Sequence, residues 1–543
     1  MTVKRYWLHT LGCPKNQVDS DKLAGLLAAD GYEPATGPEQ ADLVVVNTCA
    51  FIDAARQESV DTVLELADAR PDGARLVVTG CMAERYGDEL AAALPEVDLV
   101  AGFGQALHDA TSLYDAASAH PEPAAGAAGA AGAAGAVGAA GAGRIVPAVG
   151  AGGTVPVALR PSRPSRRGRP VPAAAPVTAT AGGSFDLLEL PRPATRSPWA
   201  YVKVAEGCDR ACGFCAIPSF RGKQRSRRPQ DVLAEVAALA GDHDGHGGGH
   251  GGDGGGGGHG GVKEIVLVAQ DLASYGRDRT GEGRGARERG APTPIVALTR
   301  AVAGLVPRTR LLYLYPSSLT DDLVEAIVGT GVPYFDLSLQ HVSRPLLARM
   351  RRWGDGDRFL RRIATIRASA PDATFRSSFI LGYPGETEED HDALLAFLRE
   401  ATLDWAGFFL FSPEDGTRAA DLPDQVPAEL ALERLRECAE LQDGITARRR
   451  DALVGQTRQV LVDAPGTGRT VHEAPEIDGV VRLPPSVPVG ALVDVVITGS
   501  LGTDLTAVMA RPAGDVSAET SAETSGGRVG KRAGVPASSR VAR

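Results

Sequence analysis

From Trp199 to about Pro413, six short apolar runs (AYVKVA, KEIVLVA, RLLYLYP, YFDLSLQ, TFRSSFILG and WAGFFLF) alternate with helical stretches such as PQDVLAEVAALA, TDDLVEAIV and EEDHDALLAFLREA. Strands this apolar are buried on both faces, and repeated strand-then-helix units lay them parallel and curl the sheet toward a barrel. Six units predict a partial, TIM-like (β/α)6 barrel in an α/β protein. Upstream, YWLHTLG, a helix over Asp19 to Ala29, DLVVVNT, a helix over Asp53 to Ala69 and RLVVTG predict a small N-terminal parallel α/β sheet domain. Downstream, a helix from about Pro427 to Ala452 leads into RQVLVDA, GVVRL, ALVDVVITG and DLTAVMA, separated by Gly and Pro turns. That pattern predicts a small antiparallel β-barrel of the oligonucleotide-binding sort.

Part of the length is expected not to fold. Gly (66) and Pro (37) make about a fifth of the 543 residues, close to low-complexity composition. Residues 116–193 carry Gly at every third position from Gly126 to Gly141 and then RPSRPSRRGRP, which reads as a disordered insert with a solvated charge run. A second insert, 241–261, holds fourteen Gly, four His and three Asp; it reads as inert or as an adventitious metal binder. The expected division is 1–115, the insert 116–193, 194–452 with its insert 241–261, 453–512, and a disordered tail 513–543. Ala124 to Gly143 is uncharged but too poor in apolar area to favour a bilayer, and the first residues lack the apolar run of a signal peptide. Seven cysteines are too few, and odd in number, for a secreted disulfide framework, so reduced thiols and a cytoplasmic address are expected. A net charge of −10 excludes retention on nucleic acid by bulk charge.

Cys208, Cys212 and Cys215 lie in EGCDRACGFC, directly after the first barrel strand. Four chain steps reach at most about 14 Å, so the three thiolates can converge on one inorganic cluster, with Gly207 and Gly213 expected to adopt positive φ in the turn. Three ligands leave one metal position open, as a catalytic site requires. The alternative is a zinc knuckle with a distant fourth ligand. Cys13, Cys49 and Cys81 each follow one of the three N-terminal strands, whose C-terminal ends share one sheet edge. They are expected to meet and hold a second cluster; the alternative is three buried thiols packed as small hydrophobes. Cys438, in ERLRECAEL, is expected to pack.

With GCPKNQVDSD at Gly12 to Asp21, NTC at Asn47 to Cys49, GC at Gly80 to Cys81 and GCDRACGFCAIPSFRGKQRSR at Gly207 to Arg227, the chain resembles the radical S-adenosylmethionine (SAM) methylthiotransferases. The collinear motifs AQDLASYG, YPSSLTD, YFDLSLQHVS, MRRWGD, FILGYPGETEED and HEAPEIDG extend the resemblance over nearly everything but the inserts and tail. Gly213 stands where the family more often has Thr. The resemblance implies two 4Fe–4S clusters: one on Cys208, Cys212 and Cys215 that binds SAM and is the catalytic centre, and an auxiliary one on Cys13, Cys49 and Cys81. It implies that one electron cleaves SAM to a 5′-deoxyadenosyl radical, which takes hydrogen from an unactivated carbon. Sulfur from the auxiliary cluster then replaces that hydrogen, and a second SAM supplies the methyl group. Strand-end Gln270, Asp271, Gln340, His341 and Arg376 are candidates to orient the cofactor, and Gly382 and Glu386 of GYPGETEED to approach adenine or ribose. His341 and Arg376 could equally cap backbone, and Thr387 with Asp390 could cap a helix. The C-terminal barrel corresponds to a TRAM, OB-like unit.

Between the branches of that family, charge and resemblance favour a protein substrate. From Gly455 to Val508 there are six acidic residues (Asp463, Glu473, Glu476, Asp478, Asp494, Asp504) and three arginines (Arg458, Arg469, Arg482), an excess that repels phosphates and suits a basic protein. The resemblance of IPSFRGKQRSR points the same way, to methylthiolation of the β-carbon of an aspartate in ribosomal protein S-twelve, free or in the small subunit. The expected enzyme is a monomer that touches no membrane and takes electrons from a donor such as flavodoxin or ferredoxin. The rivals are a tRNA adenosine 2-methylthiotransferase and a non-catalytic, metal-stabilised RNA-binding protein that would hold zinc.

Overall fold

The run LVVVNT has no polar face to offer water, and strand β3 (Leu43–Thr48) is buried at every position between two neighbours. It pairs in parallel with β1 (Arg5–Thr10) on one side and β4 (Arg75–Gly80) on the other, and the short strands β2 (Glu33–Pro34) and β5 (Leu99–Val100) complete the order β2-β1-β3-β4-β5. The computed structural model describes residues 3–107, 185–195, 197–241, 261–279 and 292–510. Most of both inserts and the whole tail fall outside the described residues. Helix α1 (Pro14–Ala29) begins five residues before the expected Asp19, because Pro14 is compatible with the first helical turn and Cys13 becomes its N-cap. Helices α2 (Asp53–Ala69) and α3 (Cys81–Ala93) follow β3 and β4.

The six expected barrel strands form in chain order and all run parallel: β6 (Trp199–Lys203), then β9 (Glu264–Val268) and β10 (Arg308–Leu311) beyond the short ribbon β7 (Ala205–Glu206)/β8 (Arg225–Ser226), and then β11 (Tyr334–Gln340), β12 (Thr374–Leu381) and β13 (Trp405–Leu410). A single bridge, Leu314 to Leu337, joins the two halves. Strand β10 stops short of the expected RLLYLYP because Tyr313 turns into the left-handed region at φ 65°. Strands β6 and β13 do not pair, and the opening is filled from outside. Val18 of α1 and Ala474 of the C-terminal unit are buried in one apolar cluster with Tyr201, Val266, Val268, Leu312, Tyr334 and Trp405.

After the long helix α4 (Ala428–Asp451), strands β14 (Thr457–Ala464), β15 (Thr467–Arg469), β16 (Val481–Arg482), β17 (Leu492–Leu501) and β18 (Asp504–Met509) close a barrel in the order β14-β15-β16-β18-β17. The expectation of a wholly antiparallel barrel needs one correction: β16 and β18 pair in parallel, the strand that closes the ring meeting its neighbour head to head. Part of the acidity of this unit is also turned inward, while Glu476 and Asp494 stay exposed. Glu473 pairs with Arg450 of α4 and Asp478 accepts from Tyr334 Oη at 2.6 Å, both toward the large barrel, while Asp463 pairs within the unit with Arg469 at 2.6 Å.

A further correction concerns residues 185–193, expected within the disordered insert. Leu187 and Leu190 are buried in one cluster with Leu23 and Leu27 of α1, Leu188 is buried as well, Lys22 Nζ donates to Leu188 O at 2.6 Å, and Arg192 pairs with Asp21. The apolar run LLEL outweighs the Pro/Arg composition around it.

The seam contains a fully buried triad in which Glu264 meets Arg310 at 2.7 Å and Arg469 at 3.1 Å. Burial works to raise the Glu264 carboxyl, but Arg310, Arg469 and Arg308 pull it from its ordinary 4.5 down to about 2. Its folded value lies below its unfolded one, so this stabilisation is complete above pH 4.5 and is lost as the pH falls toward 2. Glu264→Ala, which strands two buried guanidiniums, is expected to cost about 3–5 kcal/mol at pH 7 in denaturant titration, and the deficit should shrink as the titration is repeated between pH 4.5 and 2.

Candidate active site

Two groups of three cysteines face a shared polar seam, each held by the end of a parallel sheet. In the N-terminal unit Cys13 caps α1, Cys49 follows β3 and Cys81 opens α3, so neighbouring strands β1, β3 and β4 deliver all three to one edge. Two glycines set the spacing. A Cβ on Gly12 would stand 2.9 Å from Cys49 Sγ, and one on Gly80, at φ 90°, would stand 2.2 Å from Asn47 Oδ1. Asn16 is the hub: its Nδ2 donates to Leu11 O and Thr48 O at 3.0 Å each, and its Oδ1 accepts from Cys81 Sγ at 3.5 Å and Arg221 Nη2 at 2.7 Å. Asn47 Nδ2 returns a bond to Asn16 O at 2.9 Å. Burial pushes the Cys49 thiol up to about 12, with Cys81 and Cys13 adding to it, and raises Cys81 against the pull of Arg221. Burial raises Cys13 too, but Lys15, Arg221 and two backbone N–H groups bring it below its ordinary value.

In the large barrel the loop after β6 carries Cys208, Cys212 and Cys215. Gly207 turns back at φ 76°, where a Cβ would strike Lys223 O, and Cys208 N donates to Gly222 O at 3.0 Å. Gly213 does not take the expected positive φ. Its lack of a side chain serves packing: its N donates to Met350 O at 2.9 Å, and a Cβ there would lie 3.0 Å from Tyr383 Oη. Burial lifts Cys208 to about 11, with Asp271 and Cys212 contributing, and Cys215 to about 12, with Cys212 and Cys208 contributing. Arg352 Nη1 stands 3.5 Å from Cys212 Sγ.

Among the described residues, no group of three His, Cys, Asp or Glu side chains is drawn tightly enough to hold a single metal ion. A four-iron cube spreads its thiolates wider than one coordination sphere. Three-sulfur donor sets with nearby guanidiniums fit that group in both places.

The other candidates divide. Gln270 Nε2 donates to Glu206 Oε1 at 2.6 Å, leaving its buried Oε1 without a partner; Asp271 Oδ2 accepts from Arg210 Nε at 2.6 Å, leaving Oδ1 likewise. His341 is fully buried and held neutral, its pKa lowered by burial to about 4; Nδ1 accepts from Ser343 N at 3.1 Å and Nε2 has no partner. Gln340 sits at φ 71° at the end of β11. Arg376 is committed elsewhere, bonded to Asp336 at 3.0 Å and 3.6 Å from Asp478. Gly382 and Glu386 hold their own turn: Glu386 Oε2 accepts from Gly382 N and Tyr383 N, and Oε1 meets Arg434 at 3.2 Å. Thr387 and Asp390 form a capping box. Cys438 is buried, as expected.

Several residues that the sequence reading left unassigned complete the site. Tyr315 is sandwiched between the guanidiniums of Arg210 at 3.7 Å and Arg352 at 4.0 Å. Arg221 bonds Glu206 at 2.9 Å and Cys81 Sγ at 3.0 Å. Lys203 pairs with Asp19 of α1 and, at 2.6 Å, with Glu206. Burial would raise Glu206, but Arg221 and Lys203 hold its carboxyl well below the usual range.

Residues 5–102 match an uncharacterized protein family, UPF0004; residues 202–398 match the Radical SAM superfamily and residues 454–509 the TRAM domain. The chain is 39% identical to a ribosomal protein uS12 methylthiotransferase RimO of Frankia casuarinae over 95% of this chain and 97% of that one. It is 38% identical to its namesake in Moorella thermoacetica, over 90% and 95%. Among solved structures, the radical SAM methyltransferase TsrM of Kitasatospora setae is a distant likeness, with a TM-score of 0.41 and 13% identity over 86% of this chain and 80% of that one.

Asn16→Ala would leave Leu11 O, Thr48 O and the Arg221 guanidinium short of partners in a buried site. A loss of about 2–4 kcal/mol is expected in denaturant titration of the apoprotein, more than an exposed Asn→Ala change costs.

Proposed function

The chain belongs to the ribosomal protein uS12 methylthiotransferases, enzymes of the radical SAM class, and on that premise we propose a division of labour between its two cysteine triads. Cys208, Cys212 and Cys215 hold the 4Fe–4S cluster that binds SAM, and Cys13, Cys49 and Cys81 hold an auxiliary 4Fe–4S cluster. When bound, the first supplies the electron that cleaves SAM and the second supplies sulfur, with one SAM consumed in activating the substrate carbon and another in methyl transfer. The substrate position is the β-carbon of an aspartate in uS12.

The observation that carries this reading is the reach of Arg221. One guanidinium bonds Glu206, two residues before Cys208, and Cys81 of the other triad, at 2.9 and 3.0 Å. The root of one triad's loop and a thiol of the other are therefore joined through a single side chain, the proximity that passing sulfur from one cluster to a carbon activated at the other needs. Each part of the chain has a task. Glu206 and Lys203 fix the root of the Cys208 loop, and Gly213 lets the loop lie against Tyr383. The unpaired oxygens of Gln270 and Asp271 and the neutral His341 Nε2 are acceptors or donors for the polar groups of SAM. Val18 and Ala474 seal the barrel opening against water, which protects a reactive carbon centre. Among the described residues no helix is long and apolar enough to cross a membrane. The enzyme works as a monomer in the cytoplasm, beside the ribosome, and takes its electron from a flavodoxin or ferredoxin.

Replacing Cys13, Cys49 and Cys81 together by Ala is expected to halve the iron content and abolish sulfur insertion while leaving 5′-deoxyadenosine release intact. Loss of that release instead would reverse the assignment of the two triads. Incubating the reconstituted enzyme with uS12 and, separately, with tRNA should add the mass of a methylthio group to the protein alone.

A further inference from the structure

An aspartate carboxylate taken out of water is best met by a cation. Most cations along the polar seam are already matched: Arg221 by Glu206, Lys203 by Asp19 and Glu206, Arg210 by Asp271, and Arg376 by Asp336. Lys15 is different. It is 8% exposed, and among the described residues no carboxylate oxygen comes within 4 Å of its ammonium. Its neighbour is the Tyr313 ring, whose centroid is 3.3 Å from Nζ. Tyr313 is itself held in the left-handed region at φ 65°, with its N–H donating to Asp336 Oδ2 at 2.9 Å. A side chain kept in that conformation at the mouth of the barrel is over-determined by its surroundings, as is common where a ligand is to be received. Lys15 stands two residues from Cys13 on α1 and faces the end of β10, so it spans the space between the N-terminal triad and the large barrel.

We propose that Lys15 is a specificity-determining residue that receives the carboxylate of the substrate aspartate, displacing the Tyr313 face as its partner and holding the β-carbon between the two triads. The inference rests on the uS12 reading above. An ammonium is suited to this task because it is a compact charge that can follow a flexible side chain, where a guanidinium would impose a fork.

The test uses the reconstituted holoenzyme without reductant, so that nothing turns over, and two synthetic peptides from the modified loop of uS12, one with the target aspartate and one with asparagine in its place. Binding is read by fluorescence anisotropy for the wild type, Lys15→Met and Lys15→Arg. Wild type and Lys15→Arg should bind the aspartate peptide about tenfold or more tighter than the asparagine peptide, and Lys15→Met should bind the two alike, at the wild type's affinity for the asparagine form. The ratio is taken within each protein, so incomplete iron loading of a variant affects both peptides equally. If Lys15→Met keeps the aspartate preference, with or without loss of iron, the proposal is overturned and Lys15 serves only the charge balance of the N-terminal triad. If the wild type neither methylthiolates the aspartate peptide under reducing conditions nor prefers it, the uS12 reading fails and takes this inference with it.

Discussion

The buried network of Asp19, Lys203, Glu206, Arg221 and Asn16 is the constraint on which the rest of the molecule depends. Charges taken from water into an interior are tolerated only where each finds a partner of good geometry, and here the partners come from different domains. Asp19 and Asn16 belong to α1, Lys203 and Glu206 to the first barrel strand and its extension, and Arg221 to the segment after the Cys208 loop. Pulling the N-terminal unit away would strip Asp19 of both its cations and leave Lys203 and Arg221 to share Glu206 alone. The orientation of the two cysteine triads is therefore fixed by electrostatics, and apolar contacts such as Val18 against Tyr201 fill in around it.

A second seam operates at the opposite end of the barrel. The segment from Thr470 to Asp478 crosses the strand starts, where Trp405 Nε1 donates to His472 O at 2.8 Å, Tyr201 Oη to Pro475 O at 3.0 Å and Arg310 Nη1 to Val471 O at 3.2 Å. This part of the C-terminal unit works as a stopper for a barrel that lacks two strands. It also takes up part of the unit's acidity, since Glu473 and Asp478 face inward.

What could be read from the sequence follows from how local each signal is. The six apolar runs and the helices between them announce parallel strands because burial on both faces leaves a continuous hydrophobic stretch, and cysteines directly after strands must share the sheet's edge. The residues that bind one unit to another were not legible in this way. Asn16 and Arg221 meet across 205 positions, and no periodicity links them, although both lie inside quoted motifs. Counting charges pointed to a protein substrate, but composition cannot distinguish an outward carboxylate such as Asp494 from a buried one such as Glu473. The run LLEL at 187–190 did carry a signal, an apolar stretch out of keeping with the Pro/Arg segment before it, and composition averaged over the whole insert hid it. Arg376 and Glu386 are strand-end and turn residues of the expected kind, yet their nearest opposite charges claim them first.

The amide oxygen of Asn16 is shared by the Cys81 thiol and the Arg221 guanidinium. A thiol that becomes a metal ligand gives up its proton and with it its claim on that oxygen, which then belongs to Arg221 alone, while the guanidinium gains an anionic sulfur 3.0 Å away. If the N-terminal triad holds iron as proposed, its loading and the fastening of the two halves would form a single linked equilibrium. By mass action, whatever favoured one would tighten the other, so a supply of iron and sulfide would contribute part of the free energy that joins the halves.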